Sequence, residues 1–230
     1  MQYIFHTHHS KVIMMVLSQS IKNVERNTEA YQADAAYAYR NANQNKRKRA
    51  ESVETSILGR NAPDRAEVED FIAQVFAEAY GAEIKYFMPE LVALRDENKQ
   101  LIAAFGLRQA AFERLYLEQY LDVPIEKLLS ERLQKTISRA EITEIGNLAV
   151  SNPRNAGFLI ASVIDYSLHS GVQWCVCTAH HTLQNALIKG GRDVVALQIA
   201  DKSRLDAHEI ASWGSYYQND PQVIAVRGIA

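Results

Sequence analysis

The stretch from Glu141 to Gly171 constrains the fold of this chain more than any other. Apolar residues in Ile142–Val150 predict a strand, Ser151–Gly157 is a turn of small and polar residues, and apolar residues at helical spacing then run to Gly171. The first N–H groups of a helix have no partner within it, and the helix dipole adds partial positive charge there. The unit therefore predicts an anion site, suited to a phosphate-bearing ligand, where the turn meets the helix.

Composition and charge exclude several classes of protein. The 230 residues carry a formal net charge of −2 and are 47% hydrophobic. A chain with this net charge lacks the overall positive charge that is typical of nucleic-acid-binding proteins. No apolar run approaches the roughly 20 residues of a membrane-spanning helix. The two cysteines, Cys175 and Cys177, have no further cysteine to complete a metal site. We expect a cytoplasmic protein without a disulfide, a metal or a transmembrane segment.

The first 52 residues differ in texture from the rest. Asn23–Ala50 is polar, rich in Asn, Gln and Ala, and ends in the basic run Lys46–Arg49. Low apolar content predicts that residues 1–52 form a polar extension that is disordered or partly helical. We interpret the basic run as solvated, and we expect residues 53–230 to form one globular domain.

Apolar periodicity divides the globular part into alternating strands and helices. Strands are predicted at Val53–Leu58, Glu90–Arg95, Leu101–Arg108, Ile142–Val150, Val172–Thr178 and Val194–Ile199, the last clear strand. Helices are predicted from Pro63 to Gly81, from Pro124 to Leu133, after Gly157, and over Thr182–Ile188, and Leu115–Leu121 is a short apolar segment. This order indicates an α/β layout with an antiparallel meander first and a crossover helix later.

This order is similar to the GNAT-type acyltransferase fold, in which the fourth strand leads into a phosphate-binding turn and helix. Leu148–Val150 resembles the end of that strand, and Thr182–Gly191 resembles a later helix of the fold. More specifically, the chain resembles the thermostable hemolysin family from about Val53 to Val223. The segments that carry this resemblance are Leu117–Asp122, Pro124–Glu126, Glu144–Ala149, Arg65, Tyr80–Ala82, Pro89, Gly106–Arg108 and Trp213–Tyr217.

The resemblance implies an α/β (α+β) fold with a GNAT-like mixed, mostly antiparallel central sheet flanked by helices. It also implies an N-acyltransferase that takes an acyl group from an acyl-CoA or acyl-carrier-protein thioester, a co-substrate rather than a tightly bound cofactor. The acceptor would be a small amine or an amino acid. In such a fold the strand edge pairs with the pantetheine arm and the turn holds the pyrophosphate. The matching positions here are Leu148, Ala149 and Val150 for the edge, and Arg154, Asn155, Ala156, Gly157 and Phe158 for the turn.

Two features depart from the GNAT pattern. The turn keeps one glycine, Gly157, in a shifted place, so that Phe158 crowds a backbone meant to lie against phosphate. Leu187 stands where many relatives place a tyrosine as general acid, and it donates no proton. These departures favour an acyl carrier protein or a long acyl chain over acetyl-CoA bound in the standard way.

Acyl transfer to an amine needs a proton acceptor, donors for the thioester oxygen and a proton for the leaving thiol. Glu144 is a candidate catalytic residue on the key strand, and a solvent-facing or salt-bridged glutamate is the alternative interpretation. Gly146 and Asn147 interrupt the apolar pattern and predict a β-bulge that opens a slot for a substrate arm. Asn147 is therefore a candidate catalytic residue or the residue that holds the bulge.

A second polar set lies outside this strand. Glu118, Tyr120 and Asp122 alternate, and they share one face if their segment is strand-like. On this basis Glu118 is a candidate catalytic residue and Tyr120 a candidate substrate-binding residue. Arg108 and Arg139 are candidate counterions for a carboxylate substrate or for Glu118. A structural salt-bridge network accounts for the same residues.

Other functions stay open. The family name records haemolysis, so a membrane-active protein is one alternative, although no long basic amphipathic helix supports it. A non-catalytic acyl-binding module is another, since Leu187 and the turn depart from the pattern. His180 and His181 follow a predicted strand, where a histidine acts as acid or base near neutral pH or caps a helix.

Overall fold

The computed structural model describes residues 53–189 and 191–228, and the predicted extension over residues 1–52 lies outside them. Within this part of the chain, seven strands form one sheet in the order β1-β2-β3-β4-β5-β7-β6. The strands are β1 Glu54–Leu58, β2 Glu90–Arg95, β3 Leu101–Gln109, β4 Ile142–Val150, β5 Trp174–Ala179, β6 Val194–Ile199 and β7 Gln222–Arg227. The helices are α1 Arg65–Tyr80, α2 Ile125–Leu133, α3 Ala156–His169, α4 His181–Lys189 and α5 Ala207–Ser212.

The sheet is mixed but mostly antiparallel. The parallel pair is β4 with β5, and the other five neighbouring pairs run antiparallel. Helix α3 makes the crossover between the two parallel strands, as the strand–turn–helix pattern of Glu141–Gly171 predicts. The predicted α/β (α+β) fold class is confirmed.

Helices cover both faces of the sheet. On one face α1 buries Val68 and Ile72 against a cluster that contains Leu91 of β2. On the other face Leu159 of α3 and Leu183 of α4 join a cluster with strand residues of β2 to β5. The central strands therefore read as near-continuous apolar runs, because both of their faces are covered.

The sequence interpretation misses one strand, and one segment whose form it left open proves to be helical. Strand β7 follows the predicted last strand, and it inserts between β5 and β6 with Val223, Ile224 and Ala225 fully buried. Residues Tyr116–Tyr120 form a 3-10 helix rather than a strand. Alternation does not place residues on one face in such a helix, so the condition under which Glu118, Tyr120 and Asp122 would share a face is not met.

Candidate functional site

Strands β4 and β5 separate towards their carboxyl ends. They pair at Ile142 with Trp174, Thr143 with Cys175 and Glu144 with Val176. Beyond these residues, β4 continues to Val150 and β5 to Ala179, and these two described strands form no further backbone pairs with each other. We call the gap between Ile145–Val150 and Cys177–Ala179 the β4–β5 cleft. Its β4 side presents an unpaired backbone edge, since the other edge of β4 pairs with β3.

A β-bulge lies in the wall of this cleft. Gly146 pairs with Gly106 and Ala149 with Ala104, so that Asn147 and Leu148 together oppose the single residue Phe105. Asn147 has a φ of +50°, a left-handed conformation that asparagine tolerates better than most side chains. The bulge predicted from the Gly-Asn pair is confirmed.

Hydrogen bonds fix the segment between α1 and β2 against the bulge. The Oδ1 atom of Asn147 accepts a hydrogen bond from the backbone N–H of Met88 at 2.9 Å. The buried guanidinium of Arg65 donates to the carbonyls of Met88 at 2.7 Å and Pro89 at 2.9 Å. A Cβ atom on Gly106 would lie 2.5 Å from the Met88 side chain, and one on Gly146 would lie 2.4 Å from it. Gly106 is therefore required for this close approach, because the Met88 Cβ atom cannot move away, whereas at Gly146 only the mobile terminal methyl of Met88 would have to shift.

An aromatic cavity of about 120 Å³ opens beside the bulge. Its polar lining residues include Arg108, Glu144, Asn147 and His180, and Leu148 lies in its wall. Its rings come from four separate parts of the chain: Phe76, Tyr80, Tyr86, Phe87, Tyr116, Tyr120, Trp213, Tyr216 and Tyr217. From the sequence we expect Trp213, Tyr216 and Tyr217 only to be packed. One feature of the sequence could have indicated that these three residues share a site. They lie, like Tyr80, in segments that carry the family resemblance.

A second, apolar cavity of about 100 Å³ adjoins the first. Ile145, Leu148 and Leu183 line both cavities. The apolar cavity is walled further by α3, α4 and β5, through residues that include Ile160, Val163, Ile164, Leu187, Cys175 and Cys177. Both cysteines are free thiols, and burial raises the pKa of Cys177 to about 12. A polar, aromatic cavity and an apolar one thus lie side by side at the cleft, with Ile145, Leu148 and Leu183 in the walls of both.

Glu144 lies at the closed end of the cleft with a side chain that is 2% exposed. Its two carboxylate oxygens accept backbone hydrogen bonds from Tyr116 at 2.7 Å and Leu117 at 3.0 Å. Burial raises the pKa of Glu144 to about 7, although these N–H groups and the charge of Arg108 favour the ionised form. The carboxyl group therefore changes protonation near neutral pH while it anchors the 3-10 helix.

Arg108 faces Glu144 across the β3–β4 pair and lines the aromatic cavity. Its Nη1 donates to the carbonyl of Arg114 at 3.3 Å. Its Nε is buried without a hydrogen-bond partner, 3.7 Å from a carboxylate oxygen of Glu113. The structure therefore brings Arg108, Glu144, Asn147 and Tyr120 to one cavity.

Glu118 and Arg139 lie elsewhere. Arg139 donates to Glu118 at 2.7 Å and to Glu126 at 2.8 Å, and these three residues line a different, open cavity of about 550 Å³. Burial acts to raise the pKa of Glu118, but the Arg139 hydrogen bond and the backbone N–H groups of Ile125 and Leu115 outweigh it and lower that pKa. This pair fastens α2 to the 3-10 helix and does not reach the aromatic cavity.

Four tyrosine hydroxyls of the cavity, those of Tyr116, Tyr120, Tyr216 and Tyr217, remain protonated at neutral pH. The hydroxyl groups of Tyr120 and Tyr217 hydrogen-bond to each other, and Tyr116 donates to Glu209. Burial raises the pKa values of Tyr116, Tyr120 and Tyr216, and it raises that of Tyr217 to about 12. The hydroxyls therefore act as hydrogen-bond donors rather than as bases.

His180 follows the last residue of β5 and is 5% exposed. Its Nδ1 lies 3.4 Å from the carbonyl oxygen of Asn219, and its Nε2 has no hydrogen-bond partner. Burial lowers the pKa of His180 below its ordinary value, so the imidazole is neutral at neutral pH. The sequence marks this residue only as a possible acid, base or cap, because its burial depends on distant rings.

The turn after β4 begins α3 in the expected place. Asn152 accepts a hydrogen bond from the N–H of Arg154, and the helix starts at Ala156. Arg154 is exposed, Asn155 donates to the Ser151 hydroxyl at 3.1 Å, and Phe158 packs against the core with Ala156. Gly157 is half-buried between them.

The described residues hold neither a candidate membrane span nor a candidate metal centre. No helix among residues 53–189 and 191–228 has the length and apolar character needed to cross a membrane. Over those ranges, no three His, Cys, Asp or Glu side chains come together as a metal-binding group.

The fold is similar to solved structures of acyltransferases. The AHL synthase LasI superposes with a TM-score of 0.50 and 14% identity, over 76% of this chain and 89% of that one. FeeM, an N-acyl amino acid synthase from uncultured soil microbes, superposes with a TM-score of 0.50 and 13% identity, over 76% of this chain and 88% of that one. At such identities the likeness establishes the fold, and the expected GNAT-like fold is confirmed.

Sequence comparison places the chain in a family. Comparison with curated proteins finds no significant match. The sequence profile of the family described as "Thermostable hemolysin" matches residues 58–229. That match contains strands β2 to β7 and the last residue of β1, together with the bulge and both cavities. By this match, the chain belongs to the thermostable hemolysin family, as its sequence motifs predict.

Proposed function

We propose that this protein is an N-acyltransferase that moves an acyl group from a thioester to a small amine or an amino acid. The observation that carries the proposal is the β4–β5 cleft, beside which an aromatic, polar cavity and an apolar one lie next to each other. The fold likeness to an AHL synthase and to an N-acyl amino acid synthase supports it. The name of the second describes the synthesis of an N-acyl amino acid, which is an amide.

The thioester arm is proposed to lie in the cleft. The unpaired edge of Leu148, Ala149 and Val150 supplies backbone groups that pair with the amides of a pantetheine arm, as a further strand would. The donor's phosphate would then lie near Arg154–Phe158, at the N-terminus of the fourteen-residue helix α3. Coenzyme A and acyl carrier protein share this pantetheine arm.

The acyl chain is proposed to enter the apolar cavity. Apolar side chains of α3, α4 and β4 wall this cavity, and Leu148 forms part of both cavities at the cleft. Leu187, which replaces the tyrosine of many GNAT proteins, lies in the same wall and keeps it apolar. Burial of each CH₂ group contributes about 0.8 kcal/mol, so a fatty acyl donor is favoured over acetyl.

The acceptor is proposed to occupy the aromatic cavity. Rings on several sides suit an amine with an apolar or aromatic side chain, and a cationic amine gains further from their faces. Arg108 is the one Arg or Lys among the described lining residues, and its charge suits the carboxylate of an amino acid. Glu144 at the closed end balances the charge of Arg108, and Asn147 shapes the wall.

Donor binding tests this proposal. Calorimetric titration of the full chain with acetyl-, octanoyl- and palmitoyl-CoA, and with the same acyl groups on carrier protein, is expected to give tighter binding of the longer chains. Leu148→Trp fills the cleft and is expected to abolish binding. Leu168→Trp, at a residue of α3 that is 47% exposed, is the matched control and is expected to bind normally. Failure of every donor to bind the native chain would contradict the proposal.

A further inference from the structure

We propose that His180 is the catalytic proton acceptor for the incoming amine, an inference that rests on the acyl transfer proposed above. Three observations about His180 carry this proposal. It lies at the open end of the β4–β5 cleft, it lines the aromatic cavity, and one of its ring nitrogens is buried without a partner.

The strand register places His180 opposite the bulge. Glu144 and Val176 are the last paired residues of β4 and β5, and both strands run in the same direction from there. Leu148 and His180 each lie four residues further on, about 13 Å along a strand at roughly 3.3 Å per residue. Because the bulge takes up one extra residue of β4, His180 stands level with Leu148–Ala149, where the thioester arm is proposed to lie.

The contact with Asn219 sets the tautomer of the ring. A carbonyl oxygen only accepts hydrogen bonds, so Nδ1 must carry the proton that it directs at the Asn219 oxygen. The neutral ring then has its lone pair on Nε2, the atom without a partner. An imidazole held in this form is ready to take a proton rather than to give one.

The groups around the ring keep it neutral until substrate arrives. Tyr80 of α1 and Tyr216 from the turn after α5 pack their rings against it, with centroids 6.3 Å and 4.9 Å away. His181, the first residue of α4, adds a charge effect that also disfavours protonation. Among these neighbours there is no carboxylate, and burial outweighs the Asn219 carbonyl in lowering the pKa of His180.

Glu144 is less suited to this step. Both of its oxygens already accept backbone hydrogen bonds, and it lies at the closed end of the cleft, four residues before Leu148. His180 accepts a proton without losing a contact, since its Nε2 has none to lose.

The proposed step balances in atoms and charges. The acceptor's ammonium group transfers one proton to Nε2 of His180, and the neutral amine attacks the carbonyl carbon of the thioester. A C–N bond forms, the C–S bond breaks, and its electron pair leaves on sulfur. The second proton from nitrogen protonates the thiolate, and the imidazolium releases its proton to solvent. The products are an amide, a free thiol and one proton.

His180→Gln tests the assignment against His181→Gln, a matched control at the adjacent exposed residue. We expect His180→Gln to lower kcat for amide formation by about 100-fold or more, a typical range for a general base. Donor affinity by calorimetry is expected to stay unchanged. The kcat/KM of the native chain and of His181→Gln should rise with pH, with a midpoint below 6.5, the ordinary pKa of histidine. In His180→Gln this rise of kcat/KM at acidic pH should be absent.

Two outcomes would overturn the assignment. One is a kcat of His180→Gln within a few-fold of the native value. The other is a rise of kcat/KM with pH at acidic pH that is the same in His180→Gln as in the native chain. If the variant does not fold, ¹⁵N NMR of the native protein decides, because the proposal requires a proton on Nδ1 and none on Nε2 at pH 7. Absence of amide formation by the native chain would instead contradict the proposed function, which is a separate result.

Discussion

At the level of single residues, Glu144 couples the site to pH through the stability of the fold. Its pKa of about 7 in the folded protein lies above the ordinary value of 4.5. A raised carboxyl pKa means that the folded state binds the proton more tightly, so its stabilising effect is complete below about pH 4.5 and is lost as the pH rises towards 7. The native chain should therefore lose up to about 3 kcal/mol over this range, at about 1.4 kcal/mol per pH unit.

Urea denaturation of Glu144→Gln at several pH values checks this expectation. Glutamine does not ionise, so the variant should lose this component of the pH dependence, even though its amide satisfies only one of the two backbone N–H donors. Glu97→Gln, in the exposed hairpin turn, is the control and should follow the native curve. Parallel curves for the native chain and Glu144→Gln would show that the carboxyl is not perturbed in the fold.

The same residue shows where sequence reasoning stops. Glu144 is recognisable from its place on the key strand, but its partners are the backbone N–H groups of Tyr116 and Leu117, more than twenty-five residues away. Glu118 and Arg139 are likewise predictable as an ion pair, whereas their distance from the cavity depends on the 3-10 helix. Side-chain chemistry is visible in a sequence, and the tertiary contacts that direct it are not.

At the level of elements, Asn147 joins the bulge to the connection above it. Asn147→Ala leaves the N–H of Met88 without its acceptor and puts alanine at a φ of +50°. We expect a loss of about 1–3 kcal/mol in the free energy of unfolding from the unpaired group, with a further contribution from the backbone. Urea denaturation measures it.

A second variant separates the two causes. Asn147→Gly removes the hydrogen bond but accepts the positive φ, so its loss should be smaller than that of Asn147→Ala. Equal stability of the native chain and both variants would mean that the bulge does not depend on Asn147. Weaker donor binding in Asn147→Ala is also expected, because the bulge forms one wall of the cleft.

Helix α4 is proposed to set the length of the acyl chain. Leu187 lines the apolar cavity, whereas its neighbour Ile188 is 56% exposed. Leu187→Trp should fill part of the cavity and move the preference of kcat/KM towards shorter acyl chains. Ile188→Trp is the matched control and should keep the native preference. Competition between octanoyl and palmitoyl donors, with products counted by mass spectrometry, measures the change, and an unmoved preference in Leu187→Trp would exclude this cavity.

Most elements are predictable because they carry a clear period and a stop signal. Helix α1 starts after Pro63 and Asp64 and ends at Gly81, which adopts a φ of +64°. Strand β7 is not predicted because the residues before its apolar run show no regular periodicity. Its position between β5 and β6 depends on how the whole sheet assembles. The 3-10 helix is not predicted because its polar residues alternate with apolar ones, a pattern that is typical of a strand.

At the level of the whole molecule, the site is assembled from parts that are distant in sequence. The aromatic cavity draws on α1, the connection before β2, the 3-10 helix and the segment after α5. Sequence motifs identify the fold and the family, since these depend on element order and on short matching segments. The size of the two cavities and the neutral state of His180 depend on packing between those segments, which no local pattern encodes.

The central claim is amide formation from a thioester, and its most direct measurement is product analysis with the full chain. Purified protein is incubated with octanoyl and palmitoyl thioesters of coenzyme A and of carrier protein, together with a mixture of amino acids and amines. We predict one N-acyl product per free thiol released, identified by mass spectrometry, and loss of both signals in Leu148→Trp. Thiol release with free fatty acid alone, or no thiol release from any donor, would contradict the account.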